Sequence, residues 1–117
     1  MKTSELTGVA LDWAVTKCET GQPLSTRGAF LVAFKYSTEW AQGGPIIERE
    51  KIAVAYEPSM VYDDSCRWKA LAAMSDNEHQ YGPSPLIAAM RCYVASKLGN
   101  EVEVPKELAG GNGHEAS

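Results

Sequence analysis

Ser84-Pro85-Leu86-Ile87-Ala88-Ala89-Met90-Arg91-Cys92-Tyr93-Val94-Ala95-Ser96-Lys97-Leu98-Gly99 is the stretch on which the fold turns. Serine at the N-cap, proline at the first helical position and glycine after the last apolar residue mark a helix at both ends. Its interior is apolar almost all round. A helical wheel leaves only a narrow face around Ala88, Arg91 and Ala95, plus an isolated Lys97. Such a helix is buried on two sides, so the rest of the chain, or a second copy of it, must supply the cover.

Working outward, Leu6, Val9, Ala10, Trp13, Ala14 and Lys17 recur at helical spacing, with Gly8, Asp12, Thr16 and Glu19 on a wet stripe opposite. This predicts a first helix from Ser4 to Glu19, capped by Thr3 or Ser4 and ended by Gly21 and Pro23. Between the helices the period changes to two. Phe30, Val32, Phe34 and Tyr36 alternate with Ala29, Leu31, Ala33 and Lys35, between Gly28 and Ser37. Gly43-Gly44-Pro45 reads as a tight turn before Ile46 and Ile47, and Ile52 to Tyr56 alternate until Pro58. Arg67 to Met74 fits a helix through Trp68, Leu71 and Ala72, or a strand through Trp68, Ala70, Ala72 and Met74. The strand is favoured because the others need a partner. Glu101 to Val104 alternates briefly before Pro105. The predicted fold is α+β: an N-terminal helix, a small mainly antiparallel sheet, and a buried C-terminal helix packed on the sheet. Residues 1–108 form a single globular domain, and 109–117 a disordered polar tail.

Composition narrows the function classes. At 117 residues, 44% hydrophobic and 22% charged, the chain is one foldable domain. A net charge of -4 argues against a broad nucleic-acid backbone surface. Cys18, Cys66 and Cys92 are an odd number without CxxC spacing, so no disulfide framework or zinc finger is suggested. Glu5 stands where a signal peptide needs a basic, then apolar, start, and no apolar run is long enough to span a membrane. A cytoplasmic location follows as an expectation.

Three segments resemble one family. They are Met1-Lys2-Thr3-Ser4-Glu5-Leu6-Thr7-Gly8 leading into Ala10-Leu11-Asp12-Trp13-Ala14-Val15; Ser37-Thr38-Glu39-Trp40-Ala41-Gln42-Gly43-Gly44-Pro45-Ile46-Ile47-Glu48-Arg49-Glu50; and Tyr81-Gly82-Pro83-Ser84-Pro85-Leu86-Ile87-Ala88-Ala89-Met90-Arg91 continuing to Lys97-Leu98-Gly99 and Glu101-Val102-Glu103-Val104-Pro105. In that order they resemble the NinX-like proteins of lambdoid phages and prophages. The resemblance implies a phage or prophage origin and a cytoplasmic accessory protein of the bacterial host, acting in host takeover or counter-defence. It brings no catalytic mechanism and no site residues with it.

From the residues themselves, the best candidate site joins two loops. Trp40, Gln42, Gly43 and Gly44 offer an aromatic face, an amide and an open backbone, while Tyr81 and Ser84 lie at the start of the second helix. Trp40 and Tyr81 would hold a ring, and the helix start with Arg49 or Arg91 an anionic group. The bland alternative is a turn, an ordinary cap, and Trp40 as a core plug or subunit contact. Arg91, the one charge in the middle of its helix, is read as pairing with Asp12 or Glu48, or as facing a partner or an anion. Glu48 and Glu50, with Arg49 opposite, read as an exposed strand.

Catalytic and metal signals are weak. Cys66 with His79 lacks a third orienting group, and Cys18 and Cys92 read as small apolar helix residues. Asp63, Asp64, Asp76, Glu78 and His79 match no metal-loop spacing. No enzyme activity and no cofactor are expected. The favoured function is a small-ligand binder for an anionic or nucleotide-like molecule. The alternative is an interaction factor that modulates a host or phage protein. A homo-oligomer is expected, to cover the second helix; no membrane or nucleic-acid partner is.

Overall fold

The computed structural model describes residues 1–21, 35–58, 66–72 and 79–105. Among these, a 3-10 turn at Thr3–Glu5 precedes α1 (Gly8–Thr20), α2 (Trp40–Glu50), β1 (Ile52–Tyr56), β2 (Trp68–Ala72), β3 (Gln80–Gly82) and α3 (Pro85–Leu98). The strands form an antiparallel sheet in the order β1-β2-β3, and α3 contacts all three of them. This is the α+β arrangement expected from the apolar helix.

α3 obeys its end signals. Ser84 Oγ accepts a hydrogen bond from Ile87 N at 3.1 Å, Pro85 opens the first turn, and Gly99 takes a φ of 87°, which a side chain would strain. The helix is covered on one side by the sheet and elsewhere by α1, α2 and the 3-10 turn. Ala88 and Ala95, placed by the wheel on its open face, are buried as well. Most of its apolar surface is therefore covered within one chain.

The register pairs Ile52 with Ala72, Val54 with Ala70, Tyr56 with Trp68, Ala70 with Gln80 and Trp68 with Gly82. These residues share the face turned toward α3, because side chains alternate along a strand. Gln80 is the only amide among them. Gly82 brings the end of β3 against α3, where a Cβ would lie 2.8 Å from Ala88 N.

Four local expectations need correction. The first helix begins at Gly8, not Ser4, because a φ of 56° at Gly8 cannot continue a right-handed helix from the preceding 3-10 turn. Asp12 and Thr16 are not on a wet stripe: they are 8% and 1% exposed. A turn over Tyr36–Thr38 lies across them, with Ser37 N donating to Asp12 Oδ1 at 2.8 Å. Lys35 and Tyr36 belong to this turn region rather than to a strand; residues 29–34 of the expected strand, Met74, and the expected tail at 109–117 lie outside the described residues.

The fourth correction is the largest. Gly43-Gly44-Pro45 is not a turn but the middle of α2. A Cβ on Gly43 would stand 2.5 Å from Tyr36 O and 2.7 Å from Leu86 Cδ1, so glycine permits the close crossing of α2 over the start of α3. Gly44 lacks the Cβ that would clash with the Pro45 ring in a helical conformation. Glu48, Arg49 and Glu50 are consequently helical and not an exposed strand.

The N-terminal residues close against the segment after α3. Lys2 forms an antiparallel bridge with Glu101, Thr3 N donates to Asn100 O at 2.9 Å, and Val102 N donates to Met1 O at 2.9 Å. Among the described residues, no helix is long and apolar enough to cross a membrane.

Candidate functional site

Arg91 emerges from α3 where the N-terminal segment and β3 meet. Its Nε donates to Leu6 O at 2.7 Å and its Nη1 to Tyr81 O at 2.5 Å. Both partners are neutral carbonyls. The expected pairing with Asp12 or Glu48 does not form, since Asp12 is occupied by Ser37 and Glu48 projects from exposed α2. Among the described residues, no carboxylate lies within ion-pair distance of Arg91. Burial pushes the guanidinium pKa down, opposed by charge at Cys66 and Glu5.

This half-buried cation lines an open cleft of about 720 Å³. Lys2 and Ser4 enter it from the N-terminal segment, and Asn100 and Glu101 from the stretch bridged to that segment. Cys66 comes from the residues before β2; His79, Gln80 and Tyr81 come from β3 and its approach. His79 and Tyr81 lie on the side of the strand opposite Gln80, their ring centroids 6.5 Å apart. Gln80 itself is 7% exposed, and its Oε1 is buried without a hydrogen-bond partner.

Of the eight candidate residues, Tyr81 and Arg91 line this cleft and the other six do not. Trp40, the first residue of α2, is 55% exposed and so is no core plug. Gln42 Oε1 accepts from Lys35 N at 2.8 Å, fastening the turn before α2. Gly43 and Gly44 serve helix packing, and Ser84 caps α3. The first expected loop is a helix that crosses close to the start of α3 without lining this cleft.

Arg49 is committed to a network that joins α1, α2 and α3. It donates to Glu19 Oε2 at 2.6 Å and to Glu50 Oε2 at 2.8 Å, and Tyr93 Oη donates to the same Glu19 carboxylate. Lys97 Nζ lies 3.6 Å from Glu50. Burial alone would raise the Glu19 pKa, yet the bonds from Arg49 and Tyr93 outweigh it and hold it low. Burial, then the Glu19 charge, pushes Tyr93 up. The cations here are already balanced by carboxylates.

Cys66 and His79, read as a weak catalytic pair, both line the cleft; Lys2, Ser4, Gln80, Asn100 and Glu101 were not singled out by sequence. No spacing rule links positions 2 and 101, and a buried glutamine on a three-residue strand has no sequence signature. Burial raises the Cys18 and Cys92 thiols to about 12 and about 11, in keeping with small, unreactive helix residues. Among the described residues no group of three or more His, Cys, Asp or Glu side chains is placed to hold a metal ion; Asp63, Asp64, Asp76 and Glu78 lie outside them.

A family model described as "Bacteriophage P22, NinX" matches residues 2–97. The match takes in Lys2, Gln80 and Arg91 and stops before Asn100 and Glu101. Comparison with curated proteins gives no match.

Proposed function

We propose that this chain, which belongs to the Bacteriophage P22 NinX family, is a non-catalytic binder of a small anionic, nucleotide-like ligand in the cytoplasm of the infected host. The observation that carries the reading is Arg91: a half-buried guanidinium on an open cleft, held by carbonyls and, among the described residues, without a carboxylate counter-charge. A buried cation without an anion bears a desolvation cost that an entering phosphate or carboxylate offsets with charge-assisted hydrogen bonds. Lys2 adds a second positive group on the same cleft. Glu101 disfavours a bare polyanion and suits a ligand that also carries hydroxyl or amino donors.

Calorimetric titration of the chain with nucleoside monophosphates and inorganic phosphate tests this. Binding that falls at least about tenfold in Arg91→Met, and several-fold in Lys2→Met, supports the site. Lys2→Met matters because, among the described residues, the Lys2 side chain forms no ion pair. A flat response to every anion at millimolar concentration overturns the reading.

The second reading, a protein-interaction factor, draws on the exposed Trp40 and Tyr56 side chains. Its mark would be capture of a defined host protein that is lost in Trp40→Ala and unaffected by Arg91→Met.

A further inference from the structure

We propose that β1 is a self-association edge: two copies of the chain pair antiparallel through Ile52–Tyr56, each Val54 beside its own counterpart, to make one continuous sheet. The inference is independent of the anion-binding reading.

Among the described residues, β1 has a strand on one side only, in the order β1-β2-β3. The register shows which residues face the other side. Glu57 N donates to Arg67 O at 2.6 Å, and these two stand directly opposite in continuation of the β1–β2 pairing. Bonded and non-bonded pairs alternate along an antiparallel ladder, so Ala53 and Ala55 direct their backbone groups to β2, while Ile52, Val54 and Tyr56 turn theirs outward. Ala53, Ala55 and Tyr56 are exposed, and Val54 is half-buried. An open edge is ordinarily guarded by a charge, a proline or a bulge, and Ile-Ala-Val-Ala-Tyr has none of these. The opposite edge differs: β3 is only three residues long, and Arg91 already donates to Tyr81 O.

A second copy suits this edge because the edge is complementary to itself. With Val54 opposite Val54 of the other copy, Ile52 meets Tyr56, Ala53 meets Ala55 and Lys51 meets Glu57, each pair repeated by symmetry. The outward residues then all fall in hydrogen-bonded pairs, giving about six main-chain bonds across the seam. Lys51 is exposed and forms no ion pair among the described residues. Glu57 has Lys69 Nζ at 3.7 Å from Oε2, which leaves its other carboxylate oxygen for a second cation. Tyr56, 53% exposed and edge-on to Trp68, gains cover from Ile52 of the other copy. Sliding the strands by two residues in either direction brings Pro58, which has no N–H, or the helical Glu50 into an outward pair, and parts Lys51 from Glu57.

Sedimentation equilibrium of the full chain across the micromolar range is the test, since a seam of this size belongs to a reversible dimer. The wild type is expected to dimerise as concentration rises. Lys51→Glu sets like charges opposite one another at both ends of the seam, as does Glu57→Lys, and each alone should weaken dimerisation several-fold. An equimolar mixture of the two variants restores both opposite-charge pairs and should dimerise as the wild type does, a rescue that damage to the fold of one chain could not produce. Hydrogen exchange reads the register: the Val54 and Tyr56 amides should slow with concentration, while Ala53 and Ala55 change little. A chain that stays monomeric throughout, a dimer equally stable in both single variants, a mixture no better than its components, or no added protection at Val54 and Tyr56 overturns the proposal.

Discussion

A methyl group at position 43 would lie 2.5 Å from the Tyr36 backbone oxygen and 2.7 Å from Leu86 Cδ1, closer than real contacts allow. Gly43→Ala is therefore expected to cost about 1–3 kcal/mol, read from the urea midpoint. Two residues on, the sign reverses. Pro45 forfeits a hydrogen bond inside α2, and Pro45→Ala should raise stability by up to about 3 kcal/mol. The three residues Gly43-Gly44-Pro45 all favour turns when read singly. What makes them helical is a contact with Leu86, far along the chain, and local propensity carries no record of it. Gln80 was illegible for a related reason: only the pairing with Ala70 shows that its side chain faces the interior.

Among the elements, α3 was the most legible because both of its ends are encoded in adjacent residues. Ser84→Ala removes the bond to Ile87 N and should cost about 1 kcal/mol, visible as a lower melting temperature. β1 and β2 were legible from alternation, although β2 was decided only by the need for a partner strand. The interhelical network was not, since Glu19, Arg49 and Tyr93 are tens of residues apart. It gives the fold an acid-sensitive part. Glu19 and Glu50 both have pKa values held below the ordinary glutamate value of 4.5, so the folded state takes up their protons later than the unfolded one. Their contribution is complete above that value and is lost as pH falls through the lowered values. Asp12 acts in the opposite sense: burial raises its pKa, so its ionisation opposes folding as pH rises above the ordinary aspartate range. Urea midpoints from about pH 5 to about pH 3 should fall more steeply for the wild type than for Glu19→Gln, with Asp12→Asn leaving the steep fall in place.

For the whole molecule, the sequence was a good guide to layers and a poor one to the cleft. Layers follow from the apolar character of one helix, whereas the cleft follows from the meeting of residues 2–4 with 99–101, which no periodicity announces. Thr3 is central to that meeting: it is fully buried, and its Oγ1 donates to Gly99 O at 2.7 Å. Thr3→Val keeps the volume and removes the bond. It should lower stability by about 1 kcal/mol and weaken the proposed anion binding several-fold, because Lys2 and Ser4 on one lip lose their anchor to Asn100 and Glu101 on the other. Calorimetry on the folded variant separates the two effects.

The Lys2–Glu101 bridge also sets an order in time. During synthesis, Lys2 and Ser4 leave the ribosome before Asn100 and Glu101, which are added only after α3 is complete. A nascent chain ending at Leu98 already contains Gln80 and Arg91 but has one lip of the cleft missing. Loop closure over such a separation is among the slowest contacts a small domain makes. The cleft is thus complete only once residue 101 has been added, and the binding proposed for it requires a chain grown past that point.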